Sequence, residues 1–294
     1  MFRSISDDIR DSFDYGNMVV RLIIINVAVY MVTALIEAFV PDFYHNIILP
    51  YLSLPGDPIL ILYRPWTLIT HMFLHSGLWH LIWNMLVFYT FGNIAGDLLG
   101  DRKILPIYII GGLFGASAYI LSYQFLPIVG SFALGASAAI MAVVFTSVVT
   151  APDYMINLIL FGPVRIKFIG LFVLFFDIIG VKSGDNSGGH MAHLGGTLFG
   201  FLFVFLLKEG NDLSKYFYQC IDFFSFKSIR VPKKKSNLKV TYRSPEINRM
   251  DKIPGRSKSM QSVVDEILEK IKHSGYESLT DTEKEVLYQA SKNE

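Results

Sequence analysis

Charged side chains are scarce in this 294-residue chain: Asp, Glu, Lys and Arg make up 17% of it, where soluble domains run near about 25%. The deficit is uneven, with 21 of these residues in positions 1–207 and 30 in the last 87. An average soluble enzyme is excluded, and so is a wholly disordered chain. Cysteine is almost missing as well, and the single Cys220 excludes a disulfide scaffold. Neither sign of charge dominates; the net charge of +1 offers no bulk basic field for nucleic acid. What fills the chain instead is apolar: 52% hydrophobic residues and a mean hydropathy of +0.43.

A transmembrane helix needs about 20 mostly apolar residues, and several windows qualify. Residues 22–38 carry one acid, Glu37, and no charged residue lies between Arg64 and Asp97, which makes 77–94 a natural second span. The charge-free run 104–152 is too long for one helix. Pro127, Gly130 and Ser131 divide it into spans near 104–125 and 134–151. A fifth span near 165–181 is touched by Arg165, Lys167 and Asp177, and a sixth occupies 188–207. Six spans put both ends on one side. Arg3, Arg10, Arg21, Arg102, Lys103, Arg165 and Lys167 share the face of the termini, whereas the other face has only Arg64 and Lys182. Residues 227–258 add eleven Lys/Arg against two acids. The positive-inside rule therefore makes both termini cytoplasmic. The first 20 residues are polar and Arg21 opens a span, so no cleavable signal is expected.

Polar residues within such spans are costly and default to functional hypotheses. Span two opens with His80 and Asn84, four apart and so on one helix face. Span four opens Gly135-Ala136-Ser137, and span six carries His190, His193, Gly196 and Gly200. All lie near the outer ends of alternate spans. A serine hydroxyl beside a histidine base supports acyl transfer, with His80, Asn84 and the Ser137 backbone N–H as donors to an oxyanion. Gly196 and Gly200 share the helix face of His193 and let a neighbouring helix approach. Each feature has a plainer reading. A transmembrane serine usually bonds its own i−4 carbonyl, as expected of Ser117; small residues usually serve packing; a histidine can be a satisfied buried ring.

These strings resemble the rhomboid family of intramembrane serine proteases: Phe73-Leu74-His75-Ser76-Gly77-Leu78-Trp79-His80-Leu81-Ile82-Trp83-Asn84, then Gly135-Ala136-Ser137, then Ala192-His193-Leu194-Gly195-Gly196-Thr197-Leu198-Phe199-Gly200. The likeness covers residues 20–207 and follows the family's basic bacterial-type layout. It implies Ser137 as nucleophile and His193 as general base, a dyad with no acid member, and His80 and Asn84 as oxyanion stabilisers. It also implies a structural or auxiliary place for His75. His190 has no catalytic counterpart and is read as a cavity-lining neighbour that competes with His193 for the base role. Residues 41–67 look like the family's first outer loop, partly in the membrane; an ordinary extracytoplasmic loop is the alternative. Three positions depart from the pattern: Ala138 where glycine is common, Met141 where an aromatic often packs on the imidazole, and Gly96-Asp97 with the acid one place off.

Other intramembrane chemistries lack their motifs. No histidine is followed by glutamate, and Gly96-Asp97 and Gly184-Asp185 lack the first glycine of G-x-G-D. His71 and His75 have metal spacing but no third ligand nearby, so neither metal nor cofactor is expected. Asp177, the one acid well inside a span, would face the bundle interior, snorkel, or serve as a relay in a transporter.

The expected organisation is a cytoplasmic segment 1–18, an all-α membrane domain 19–207 with a six-transmembrane-helix rhomboid-like bundle, a basic juxtamembrane linker 208–258, and a cytoplasmic helical tail 259–294. In the tail Val263, Val264, Ile267, Leu268 and Ile271 recur at helical spacing, Gly275 is a stop, and Thr280 or Asp281 caps a second helix. The tail binds a cytoplasmic partner, docks on the membrane body or is partly disordered; the sequence does not choose. The expected function is intramembrane serine endopeptidase, acting on transmembrane protein substrates within the lipid bilayer of a bacterial inner (cell) membrane and not on nucleic acid. The alternatives are a catalytically inactive rhomboid-like chaperone or adaptor, and a small transporter.

Overall fold

The computed structural model describes residue 10 and residues 12–14, 16–126, 128–158, 161–183, 186–224 and 260–292. Six helices form an all-α membrane bundle: α1 (Met18–Phe39), α2 (Leu78–Leu99), α3 (Ile104–Phe125), α4 (Ser137–Thr150), α5 (Ile166–Ser183) and α6 (Ser187–Lys208). All six expected spans are present as helices, within a few residues of their expected bounds. Among the described residues, three segments suffice by length and composition to cross a membrane: Met18–Phe39, Asp101–Phe125 and Ser187–Lys208. The other three fall short for separate reasons. α2 is diluted by His80, Asn84 and Asn93, α5 carries Lys167, Asp177 and Lys182, and α4 has only 14 residues.

The short α4 organises the bundle. At about 1.5 Å per residue it covers roughly 21 Å, less than the hydrocarbon thickness of about 30 Å. Every residue from Ala138 to Val148 is nevertheless buried, because α2, α3 and α6 surround it. An all-apolar helix is stable in such a place. Its Ser147 hydroxyl, deep in the core, donates to the Phe91 carbonyl of α2 at 2.9 Å. The α6 face against it is free of side-chain bulk: a Cβ on Gly196 would run into the Ala138 carbonyl, and one on Gly200 would lie 2.7 Å from the Ala142 oxygen. The outward faces carry exposed apolar groups suited to lipid, such as Leu171, Phe172 and Phe175 on α5 and Met31, Val32 and Leu35 on α1.

Residues 40–77 form an ordered element rather than a plain loop, with several short helical turns between α1 and α2. Arg64 donates to the Pro50 carbonyl and stacks 3.9 Å over Tyr51, while Trp66 Nε1 donates to the Tyr51 oxygen. Ile59, Leu62 and Tyr63 stay exposed. Two small antiparallel ladders add to the helices. β1 (Leu54–Pro55) pairs with β2 (Phe132–Ala133), and β3 (Met155–Leu158) pairs with β4 (Gly162–Arg165).

The chain divides into two compact units, and the first extends past the sixth span to residue 229. The reason is α7 (Leu213–Phe224), an amphipathic helix within the expected linker. Tyr218 donates to the Arg102 carbonyl at 2.8 Å, and Lys103 pairs with Asp212 at 3.3 Å, which anchors the segment to the α2–α3 turn. The basic run Lys233-Lys234-Lys235, expected from the sequence to join the aromatic-rich stretch 216–226 in an interfacial segment against anionic lipid, lies outside the described residues. The second unit holds α8 (Met260–Ser274) and α9 (Asp281–Lys292), with Gly275 at φ +74° closing α8. Thr280 caps α9 reciprocally: the Glu283 N–H donates to Thr280 Oγ1, and the Thr280 N–H donates to Glu283 Oε2 at 2.8 Å.

The α4–α6 contact makes a direct prediction. Gly196→Ala is expected to destabilise the protein by about 1–3 kcal/mol, because the added methyl must displace backbone. Gly77→Ala, with open space around it and an extended φ of 175°, should leave thermal unfolding of the detergent-solubilised protein unchanged.

Candidate active site

Ser137 is the first residue of α4, so its backbone N–H is among those a helix N-terminus leaves without an intrahelical acceptor. The segment before it is non-helical at membrane depth, which is tolerated only where protein covers it. Here residues 40–77 supply the cover: beyond the β1–β2 pair, the Gly56 N–H donates to Ser131 O, and the Gly135 N–H donates to His71 O, both at 2.9 Å. Gly135 itself has φ +128°, and a Cβ there would lie 3.0 Å from His80 Cε1. Conformation and space both demand glycine two residues before the serine.

α6 brings His193 to Ser137, with Nε2 2.7 Å from the Ser137 Oγ. His190, one turn earlier, does not reach the serine. The expectation of no acid beside this pair needs correction. Asp177 Oδ1 on α5 lies 2.8 Å from His193 Nδ1 and 2.8 Å from His190 Nδ1. The α5–α6 hairpin returns the chain so that Asp177 faces α6; it is 3% exposed and does not snorkel. An ionised carboxylate only accepts, so His193 carries its proton on Nδ1 and turns the Nε2 lone pair to the Ser137 hydroxyl. This bond fixes tautomer and ring orientation together.

Just before α2, Ser76 lies beside Nδ1 of His80 on that helix, with Oγ at 3.0 Å and the backbone N–H donating at 3.5 Å. The Ser76 N–H makes Nδ1 an acceptor, which leaves the proton on Nε2, on the ring edge that lies against Gly135. The sequence motif alone assigns Ser76 no role; its i, i+4 spacing to His80 is the signal that points to this contact. Asn84 Nδ2 donates one hydrogen to the His80 carbonyl at 3.0 Å and keeps a second. His75 is buried and packs edge-on against His80, centroids 5.1 Å apart, behind the site. His71 donates from Nδ1 to the Thr67 carbonyl at 2.7 Å. Ser117 bonds the Leu113 carbonyl at 2.9 Å, as its plain reading has it.

Ser137, His193, His80, Asn84 and Asp177 share one cavity of ≈ 960 Å³. Met141 lines its wall, and Trp83, Phe172 and Phe176 make one side aromatic, between α2 and α5. Ala138 turns its methyl toward Gly115 of α3 and its carbonyl toward Gly196.

A model of the Rhomboid domain matches residues 63–210, and a model of a family of unknown function, DUF6576, matches residues 255–293. Rhomboid protease AarA of Providencia stuartii is 30% identical over 224 residues, 68% of this chain and 75% of that protein. RHOMBOID-like protein 12, mitochondrial, of Arabidopsis thaliana is 29% identical over 45% of this chain. The human presenilin-associated rhomboid-like protein, mitochondrial, is 28% identical over 56% of it. The chain spans less than half the length of these two mitochondrial relatives, 43% of each.

Burial holds the rings of His71 and His75 neutral down to a pKa of about 4; in His75 the neighbouring His80 adds to the effect. Both lie outside the spanning helices. Unfolded histidine titrates near about 6.5, so between there and 4 the unfolded chain binds more protons. Stability should therefore be level above pH 6.5 and fall as pH drops toward 4. Thermal unfolding against pH reads this, and His75→Phe should lessen the slope.

Proposed function

This chain belongs to the rhomboid family, and on that premise we propose that it is an intramembrane serine endopeptidase acting by Ser137 and His193. The observation that carries the reading is the 2.7 Å contact between Ser137 Oγ and His193 Nε2 inside a cavity with an aromatic wall. A transmembrane segment unwound at the scissile bond is the substrate class such a wall suits.

The Ser137 oxygen attacks the scissile carbonyl carbon while its proton passes to His193 Nε2. The oxyanion accepts from the Ser137 N–H, the His80 Nε2–H and the second Asn84 N–H. One such donor in a dry site typically contributes about 3–4 kcal/mol. The tetrahedral intermediate collapses as His193 returns the proton to the leaving amine. Water then enters and attacks the acyl carbon while giving its proton to His193, which passes it to the Ser137 oxygen as the acyl–oxygen bond breaks. Asp177 holds the His193 ring and stabilises the imidazolium that forms twice per cycle. It acts through His193 and is a positioning residue. The Lys/Arg asymmetry supports an orientation with both termini cytoplasmic, and the likeness to the Providencia stuartii protease is what supports a bacterial inner membrane. The α8–α9 tail is the candidate contact for a cytoplasmic partner. The adaptor reading would leave the serine–histidine pair idle, and nothing in the site favours that.

The test is cleavage of a transmembrane reporter by purified protein. Ser137→Ala and His193→Ala are each expected to lose about 10³-fold or more in kcat; undiminished cleavage by either variant sinks the assignment. Asp177→Ala should lower kcat more than it raises KM. A fluorophosphonate probe should label wild type at Ser137 and leave Ser137→Ala unlabelled.

A further inference from the structure

We propose that Asp177, His190 and His193 form a binding site for a zinc-like divalent transition metal whose occupation switches the protease off. Binding rests on the geometry of these three residues alone; the switching rests also on the Ser137–His193 reading above.

The protease mechanism has no use for His190. It nonetheless brings Nδ1 to 2.8 Å from Asp177 Oδ1, the same atom and distance that His193 Nδ1 uses. Both imidazoles thus aim one nitrogen at one oxygen, and the ligand atoms of the three residues lie within 4.8 Å of one another. The ring of His190 is seated for this. A Cβ at Gly180, three residues after Asp177 on the same face of α5, would meet its Cδ2 at 2.5 Å. Meanwhile the second carboxylate oxygen, Asp177 Oδ2, is buried with no hydrogen-bond partner among the described residues. A carboxylate 3% exposed with one oxygen doubly bonded and the other bare is under-satisfied.

A metal ion resolves that imbalance. Two imidazoles and a carboxylate are a donor set for zinc and its neighbours, and three protein ligands leave a fourth position for water. In a tetrahedral site with bonds near 2.0–2.1 Å the ligand atoms stand about 3.3 Å apart. The two nitrogen–oxygen distances would open by roughly half an ångström, and the unpartnered Oδ2 could turn inward. Asp177 and His193 line the cavity, so an ion can reach them, and the side chains of His190 and His193 are 26% and 20% exposed.

The consequence for the site follows from proton balance. A neutral imidazole bound to metal through Nδ1 carries its proton on Nε2. The His193 proton that Asp177 held on Nδ1 therefore moves to Nε2, the atom facing Ser137. Nε2 then donates where it had accepted, and no base remains for the Ser137 hydroxyl. No bond to the protein other than coordination is made, and a chelator restores the original tautomer.

The experiment uses the full chain, metal-free, in detergent and without a polyhistidine tag. Cobalt(II) is titrated while its tetrahedral ligand-field absorption is recorded, and zinc is titrated by calorimetry. Wild type and Ser137→Ala should each bind a single equivalent. Asp177→Asn and His190→Gln should bind roughly tenfold or more weaker, with thermal unfolding checking that each is folded. Zinc should abolish reporter cleavage by wild type, and EDTA should restore it. Whatever cleavage His190→Gln retains should resist zinc at the concentration that stops wild type. Absence of binding, or binding unaltered in both ligand variants, overturns the site. Stoichiometric binding without loss of cleavage overturns the switch. A protein that binds cobalt at these residues but never cleaves would refute the protease reading and leave the metal site standing.

Discussion

The site depends on one constraint, the approach of α6 to α4 at backbone distance. Ser137 and His193 stand 56 residues apart on different helices, and their side chains are short. They meet because Gly196, one turn beyond His193, has no Cβ to hold the Ala138 carbonyl away, and Gly200 repeats the arrangement against Ala142. In lipid no hydrophobic drive pulls helices together, so close van der Waals packing of small residues must do it. The hydroxyl–imidazole distance is thus a consequence of the helix contact below it. Together with α2 and α3 on its other sides, the same contact buries α4, which lets a helix of 14 residues persist within the bilayer.

A short α4 has a further consequence. The chain before Ser137 must cross the outer part of the membrane without helical hydrogen bonds, and bare backbone there is costly. Residues 40–77 meet that demand with the β1–β2 pair and the bonds from Gly56 and Gly135. His71 serves this cover twice: its side chain closes the turn at Thr67 and its carbonyl receives the Gly135 N–H. Gly135 in turn lies against His80, so the 40–77 element, the His80 side of the cavity and the serine are fixed by one continuous chain of packing and hydrogen bonds.

Much of this is legible in the sequence, and what is not has identifiable causes. Hydropathy and charge locate six helices, since a span declares itself within its own 20 or so residues. Helical spacing places Gly196, Gly200 and Asn84 on the faces they occupy, because i, i+3 and i, i+4 neighbours are set locally. The cap at Thr280 follows the same logic. Asp177 does not yield to it. It stands out as the one acid well within a span, but its partner lies on the next helix, at an orientation no local pattern encodes. Its contact with His193 depends on how α5 is rotated against α6. Residues 216–226 read in the sequence as an aromatic-rich interfacial segment within a linker, not as the helix α7, because apolar and polar residues mix over only twelve positions and the docking to Arg102 and Lys103 is tertiary. The β1–β2 pair is two residues long and joins segments far apart in sequence, below what any periodicity reveals.

The position of Asp177 bears on how one bundle accommodates charge in lipid. A buried carboxylate is costly unless partnered, and the penalty falls with each donor that reaches it. Two histidine N–H groups on Oδ1 provide that, and they come from α6, the helix that also holds His193 against Ser137. The carboxylate therefore couples α5 to α6 by hydrogen bonds where most of α5 otherwise faces outward with phenylalanines and isoleucines. An apolar residue at 177 would remove the burial cost but free the His193 ring to turn. The acid in the span is best understood as the cost, carried by α5, of a fixed imidazole on α6.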